Sequence, residues 1–304
     1  MPSAHPPETL TRHCPAKVNL ALAVGSPDAT GYHPIASWMA ALAFSDTLTL
    51  QRRADTNESR FDIRFAADAP RPGPIDWPLA DDLACRAHRQ LEQALGRALS
   101  VIATLEKRIP TGAGLGGGSS DAAAMLVGLN DLFELNLSAQ ALRDHAAALG
   151  SDVPFLVAAL RGTPSAITLG RGERLEPAPL SGSIHLALVL PALACATGAV
   201  YRAFDQRAGH NTADEARVRA IIHQAPHVDA VLFNDLAEPA CIVCPELRAA
   251  RQSIADTTRR LVHITGSGAA MFLLAQDADD ARTLAQHITI QTGHTTVPTH
   301  TFTI

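Results

Sequence analysis

Ile109-Pro110-Thr111-Gly112-Ala113-Gly114-Leu115-Gly116-Gly117-Gly118-Ser119-Ser120-Asp121 holds five glycines in the seven residues from Gly112 to Gly118. Without Cβ atoms the backbone turns tightly and comes close to a ligand. An alanine-rich helix is expected next, over 119–133. A glycine loop feeding a helix N-terminus aims free amides and the positive end of the helix dipole at one point. That is an anion site, and polyphosphate is its usual guest. Ser119 and Ser120 can each cap the helix, bond a phosphate or ligate Mg²⁺ through a hydroxyl. A Walker A loop is excluded, because no lysine precedes Ser119. Gly112-x-Gly114-x-x-Gly117 fits the dinucleotide pattern, but the helix that follows leads into another helix rather than a second parallel strand. A plain glycine hinge does not require a helix immediately behind it.

Outward from the loop, Val18 to Val24 alternates like a strand. The alternation sets Lys17, Asn19 and Ala21 on one face and Val18, Leu20, Leu22 and Val24 on the other. Further strands are expected at 47–50, 60–65, 100–105 and 165–169, with a polar loop over 25–34. Helices are expected at 82–96 and 138–149, the latter with Ser138 as N-cap and Gly150 as its stop. Beyond about residue 178 come a strand at 184–190, helical stretches at 197–207, 213–223 and 229–238, and a helix at 246–257. Strands at 261–264 and 271–274, a helix at 278–288 and a strand at 296–303 complete the chain. Without the inserted helices this order is β-α-β-β-α-β, the ferredoxin-like arrangement. The first half lacks regular βαβ alternation, so the class is α+β. The linker falls near Pro177-Ala178-Pro179, and residues 1–10 read as a disordered lead-in.

Of the 304 residues, 47% are hydrophobic and 18% charged, enough for a core in one large or two modest domains. Twenty-five Lys+Arg against 30 Asp+Glu give a net charge of -5, the wrong sign for a nucleic-acid partner. A phosphorylated ligand must therefore be held by local architecture. No apolar run reaches the ~18 residues of a membrane span, and the polar, Pro-rich start lacks a signal-peptide core. The expectation is a cytoplasmic protein. Five scattered cysteines do not make a disulfide framework.

The stretch Pro110-x-Gly112 through Ala123 resembles the phosphate loop of the GHMP small-molecule kinases. Two more stretches match that superfamily: Pro15-Ala16-Lys17-Val18-Asn19-Leu20 and Thr265-Gly266-Ser267-Gly268-Ala269-Ala270-Met271-Phe272. Gly31-Tyr32-His33, Gly150-Ser151-Asp152-Val153-Pro154-Phe155 and Phe233-Asn234-Asp235-Leu236 resemble the branch whose acceptor is a cytidyl diphosphate, in the non-mevalonate isoprenoid route. The resemblance runs from about residue 13 to the C-terminus. It implies a two-domain GHMP kinase fold. An N-terminal ribosomal-protein-S5-domain-2-like domain would span 11–178, a C-terminal ferredoxin-like domain 179–304, with a cleft between them.

The resemblance also implies ATP as co-substrate, with Mg²⁺, and an alcohol acceptor. Pro110, Gly112, Ala113, Gly114, Leu115, Gly116, Gly117, Gly118, Ser119 and Ser120 would bind ATP. An alcohol is a poor nucleophile at pH 7, so a base or nearby cation must help. Asp152 lies beyond a helix-ending glycine in a turn fixed by Pro154, where a loop carboxylate can point into a cleft. The family pattern makes Asp152 the base and the strand-held Lys17 its partner. The bland alternatives are a helix cap for Asp152 and an edge-strand lysine for Lys17. Asn19, on the Lys17 face, could bond the acceptor. In the resembled family aromatic rings at positions matching Tyr32 and Tyr201 grip cytosine, His33 bonds the base edge, and Thr197 sits nearby; Tyr201 could instead be a core or surface ring on an amphipathic helix. Gly266-Ser267-Gly268 is either a plain hairpin turn or backbone closing the site.

The chain departs from the family at Asp82-Leu83, where Asn-Leu is usual, at Ala269-Ala270 in place of Pro-Thr, and at Ala196 in place of a frequent serine. Glu106, Lys107 and Arg108 stand close enough to the loop to approach phosphates, without the sequence deciding it. Cys241-x-x-Cys244 has no second pair at zinc spacing and reads as structural. Asp277, Asp279 and Asp280 read as a solvated helix start. Other acceptors on the same scaffold are homoserine, mevalonate or a sugar, and a non-catalytic nucleotide-binding protein is the alternative from another class. A monomer or a homodimer suits either reading.

Overall fold

The structure, a computed structural model, describes residues 8–207, 212–222 and 229–302. Strands β1 (Thr9–Val24), β2 (Ile35–Arg52), β3 (Arg60–Phe65), β4 (Val101–Lys107), β5 (Ser165–Gly170) and β6 (Arg174–Pro177) form one sheet. Its path is β3-β4-β2-β1, with β5 pairing the first part of β2 and β6 pairing β5. Helices α1 (Leu83–Leu95), α2 (Gly117–Leu132), α3 (Ala139–Ala147) and α4 (Val153–Leu160) cover one face. Strand β7 (His185–Leu190) opens the second sheet, and α5 (Thr197–Asp205) and α6 (Glu215–Ile222) follow. A two-residue strand, β8 (Phe233–Asn234), crosses back to pair in parallel with β1. Then come α7 (Ala237–Val243), α8 (Pro245–Thr258), β9 (His263–Ile264), β10 (Met271–Ala275), α9 (Ala278–Thr292) and β11 (Thr295–His300).

The second sheet runs β11-β7-β10-β9, antiparallel throughout, which is the ferredoxin-like strand order expected. Its alternation decides the layering. Leu186, Leu188 and Leu190 join Val18, Leu20 and Trp38 in a core between the sheets. Ala187 and Val189 join Leu247, Ile254 and Leu284 under the helices. Helix α2 lies between the first sheet, α1 and α4. Its alanines permit that close approach, and a Cβ on Gly128 would meet Leu50 Cδ1 at 2.8 Å.

Several expectations need correction. Residues 1–7 of the expected lead-in lie outside the described residues, but Thr9 and Leu10 already belong to β1. Strand β2 runs 18 residues, where only 47–50 was expected. Its first part is buried on both faces and so shows no alternation. Helix α4 and strand β6 were not foreseen. The stretch 229–238 is not one helix: a 3-10 turn at Asp229–Val231 precedes β8. Residue 223 of the helix expected at 213–223 lies outside the described residues. In β1 the predicted faces hold for Lys17 and Asn19 and fail beyond them. A register shift between Asn19 and Ala21 turns the chain over. Ala21 therefore packs with Val18 and Leu20, and Leu22 and Val24 face the other core.

Candidate active site

The glycine loop is held between β1 and the 265–268 turn. The Lys17 amide donates to Leu115 O at 2.9 Å, and the Ala270 amide to Ala113 O at 3.0 Å. Gly114 adopts φ +79°, and a Cβ there would meet Thr265 O at 2.7 Å and Gly268 O at 2.9 Å. Gly116, at φ +71°, is the N-cap of α2, whose first turn carries no acidic residue. The first-turn amides thus face an environment fit for an anion. Gly114→Ala combines left-handed strain of about 1–2 kcal/mol with a methyl pressed into two carbonyl oxygens. It is expected to lower the urea midpoint and weaken nucleotide binding together; a midpoint equal to that of the unsubstituted chain would contradict this contact.

A Cβ on Gly116 would lie 3.0 Å from Lys17 Cγ and 3.6 Å from Asp152 Oδ2, so the loop rests on the ammonium–carboxylate couple. Lys17 is 4% exposed. Its Nζ donates to Asn19 Oδ1 at 2.8 Å and lies 3.3 Å from Asp152 Oδ2. Asn19 is fixed in turn: its Nδ2 donates to Ser37 Oγ at 2.8 Å, and its amide to Thr265 Oγ1 at 3.0 Å. Asp152 occupies the N-cap position of α4, yet its carboxylate makes no capping bond and meets Lys17 instead. Lys17 is no exposed edge residue, since β1 is flanked by β2 and β8.

Two cavities meet at this couple. One, of about 480 Å³, is lined by the loop from Pro110 to Ser119 together with Trp77 and Asp82. The other, of about 570 Å³, is lined by Lys17, Asn19, Asp152, Tyr32, His33 and Tyr201, with Thr197, Gly266 and Ser267 at its border. They share Gly114, Gly116 and Ser119. The structure separates the two serines: Ser119 borders both cavities, whereas Ser120 is fully buried and its hydroxyl has no partner.

Around the larger cavity, the Tyr32 hydroxyl bonds the Ser151 hydroxyl, and the Arg171 guanidinium stands 4.9 Å over the Tyr32 ring. The ring beside Tyr201 is His33, at 4.8 Å between centroids. Burial, then the neighbouring Tyr32 and Asp152, push the Tyr201 phenol above its ordinary range. Thr197 Oγ1 and Ser267 Oγ share a hydrogen bond of 2.9 Å. Gly266 and Ser267 connect the paired strands β9 and β10, and a Cβ on Gly266 would sit 3.5 Å from Lys17 Nζ. The hairpin connection and the site border are the same residues.

Sequence reasoning missed what lies beneath the loop. Lys107 is buried between Asp46 Oδ2 at 2.7 Å and Asp121 Oδ2 at 2.5 Å. Asp46 Oδ1 accepts from the Ile109 amide at 2.7 Å and from the Arg108 amide. One ammonium thereby ties the strand entering the loop to the helix leaving it. Arg108 pairs with Asp68 and Glu106 with Arg64. Only the apolar-looking position of Asp46, at the end of a hydrophobic run, could have signalled the pairing. Asp82 caps α1 through the Ala84 and Cys85 amides and accepts from Trp77 Nε1 at 3.1 Å. Cys241 and Cys244 are buried free thiols in the core under the second sheet. Asp277 caps α9, and Asp280 pairs with Arg260.

Comparison with known proteins agrees with this geometry. The family "GHMP kinases N terminal domain" matches residues 82–160, from α1 through the glycine loop to the end of α4. The two-sheet α+β architecture is the GHMP kinase fold, and kinases of this superfamily use ATP as phosphoryl donor. A 4-diphosphocytidyl-2-C-methyl-D-erythritol kinase of Moorella thermoacetica is 38% identical over 289 residues, covering 92% of this chain and 95% of its own. That of Caulobacter sp. (strain K31) is 37% identical, covering 92% and 93%. A crystal structure of a 4-(cytidine 5'-diphospho)-2C-methyl-D-erythritol kinase superposes with a TM-score of 0.75 at 32% identity, covering 96% of this chain and 100% of that one. The chain belongs to the 4-diphosphocytidyl-2-C-methyl-D-erythritol kinase family. Among the described residues no helix is long and apolar enough to cross a membrane.

Proposed function

We infer that the chain transfers the γ-phosphoryl of ATP to the 2-hydroxyl of 4-diphosphocytidyl-2-C-methyl-D-erythritol. The observation that carries this reading is the meeting of the two cavities at the Lys17–Asp152 couple, with the glycine loop on one side and aromatic rings on the other. The triphosphate rests on the amides of Gly112 to Ser119, and the cytidyl acceptor occupies the cavity of Tyr32, His33 and Tyr201. Asp152 accepts the hydroxyl proton as the alcohol attacks, and Lys17 offsets charge on the alkoxide and the passing phosphoryl. Asn19 holds the lysine on target; Thr197, Gly266 and Ser267 close the acceptor side. The Ser119 hydroxyl, which borders both cavities, would hold Mg²⁺ in preference to buried Ser120, and the ion would supply charge neutralisation for the phosphates. The separate four-stranded sheet supports treating 179–304 as a second domain beside 11–178. A cytoplasmic monomer or homodimer fits the net charge and the biosynthetic role.

Purified chain with ATP, Mg²⁺ and the cytidyl substrate is expected to release ADP in a coupled assay. Turnover with homoserine or mevalonate and none with the cytidyl substrate would overturn the acceptor. Tyr201→Ala removes a stacking face worth about 1–3 kcal/mol, so KM for the cytidyl substrate should rise about tenfold or more with KM for ATP unchanged. An unchanged acceptor KM removes Tyr201 from the pocket.

A further inference from the structure

We propose that Ser37 is a positioning residue which, acting through Asn19, decides which end of the Asn19 side chain faces Lys17. This rests on the reading of Lys17 as the ammonium that offsets charge during the transfer. Ser37 lies on β2 opposite Leu22, is fully buried and lines neither cavity. It therefore acts on the reaction only through a neighbour. An asparagine side chain has two ends of similar shape and opposite character: the oxygen accepts and the nitrogen donates. Asn19 turns its oxygen to Lys17 Nζ at 2.8 Å and its nitrogen to Ser37 Oγ at 2.8 Å. Half a turn of that group would keep its shape and reverse both contacts. Lys17, which has donors and no acceptor, would then face another donor.

The Ser37 hydroxyl opposes that turn. Its single hydrogen goes to the Ala21 carbonyl at 2.8 Å, and a carbonyl only accepts. With that hydrogen committed, Ser37 Oγ offers lone pairs alone to Asn19. A reversed side chain would set oxygen against oxygen, with Nδ2 against the ammonium. Thr265 reads the same end: its hydroxyl donates to Asn19 Oδ1 at 3.3 Å, and its oxygen accepts from the Asn19 backbone amide at 3.0 Å. The register of β1 against β2 shifts between Asn19 and Ala21, and such irregularities re-aim side chains beside active sites. Here the shift falls between the residue Ser37 orients and the residue it bonds. Lys17 thus meets one fixed acceptor at Asn19 and one carboxylate oxygen at Asp152, 3.3 Å away. Without the Ser37 hydroxyl, Asn19 Nδ2 loses its partner in a buried place and the side chain is free to turn. The ammonium loses its anchor, while the glycine loop and the aromatic wall keep theirs. The cost falls on kcat and not on the binding of either substrate.

The test is steady-state and single-turnover kinetics of the full chain with ATP, Mg²⁺ and the cytidyl substrate. Ser37→Ala is expected to lower kcat about tenfold, with both KM values within about twofold of the unsubstituted chain. Asn19→Ala should lose at least as much. Adding Ser37→Ala to Asn19→Ala should change kcat by less than about twofold, because Ser37 then has nothing to orient. A serine that merely fills space would cost the same factor in both backgrounds. An unchanged kcat in Ser37→Ala, a loss confined to either KM, or a tenfold loss repeated on top of Asn19→Ala overturns the proposal. If Lys17→Ala keeps the single-turnover rate, the reading of Lys17 itself fails. If Lys17→Ala loses that rate and Ser37→Ala does not, the proposal alone falls.

Discussion

Asp152→Asn is expected to lower kcat by about 10²–10⁴-fold while nucleotide affinity changes by less than about twofold. The side chain makes no capping bond to α4, so asparagine costs the helix nothing, and it keeps the size of the residue beside Gly116. What it loses is the capacity to take a proton. Its amide could still touch Lys17 Nζ, 3.3 Å away in the native pair, but as a dipole instead of a charge. The effect therefore belongs to the chemical step. Rapid-quench measurement of a single turnover with both substrates bound isolates that step, and calorimetry with a non-hydrolysable ATP analogue gives the affinity. Full-rate turnover in this variant would remove Asp152 from the role of base. A parallel loss of analogue binding would place its contribution in nucleotide binding.

Lys107→Met should cost about 3–5 kcal/mol of stability, because it strips the counter-ion from buried Asp46 and a hydrogen-bond donor from buried Asp121 at once. A loss of that size lowers the melting temperature by on the order of 10 °C. Scanning calorimetry and urea unfolding check it, and a shift of a degree or two would show that Asp46 and Asp121 find other partners. Burial pushes the Asp121 carboxyl up to about 8; Lys107 pulls the other way and Asp46 adds to the rise. A carboxyl that holds its proton to higher pH in the folded chain than in the unfolded one favours folding at acid pH. That contribution is lost as pH rises from about 4 to about 8. Asp121→Asn should flatten the stability curve across that window.

The site was more legible than the scaffold around it. Glycine clustering before an alanine-rich helix is a local signal, because backbone freedom and helix polarity need no tertiary partner to be recognised. The second sheet was readable for a similar reason, since each short strand is bounded by turn residues. Strand β2 was mostly hidden: Ala36 to Leu42 is enclosed on both faces, and enclosure on both faces erases the alternation that announces a strand. The overturned face of β1 depends on a register shift against β2, a property of the pair and not of either segment. Lys107 shows the same limit. Flanked by Glu106 and Arg108 it looks solvated, and only the arrival of Asp46 from 61 positions away makes it a buried tie.

Strand β8 pairs with β1 a few residues beyond Lys17, and Asn234 Nδ2 donates to both Ile264 O and Gly266 O at 2.8 Å. The Asp235 carboxylate adds a bond accepted from the Val24 amide at 3.0 Å. The later part of the chain is thus spliced into the edge of the earlier sheet, and the two cannot part like jaws without breaking a strand. Reactants therefore meet a site whose two walls are already joined by that strand pair and the Asn234 bonds. Selection between alcohols can then draw on how well each one fits those joined walls.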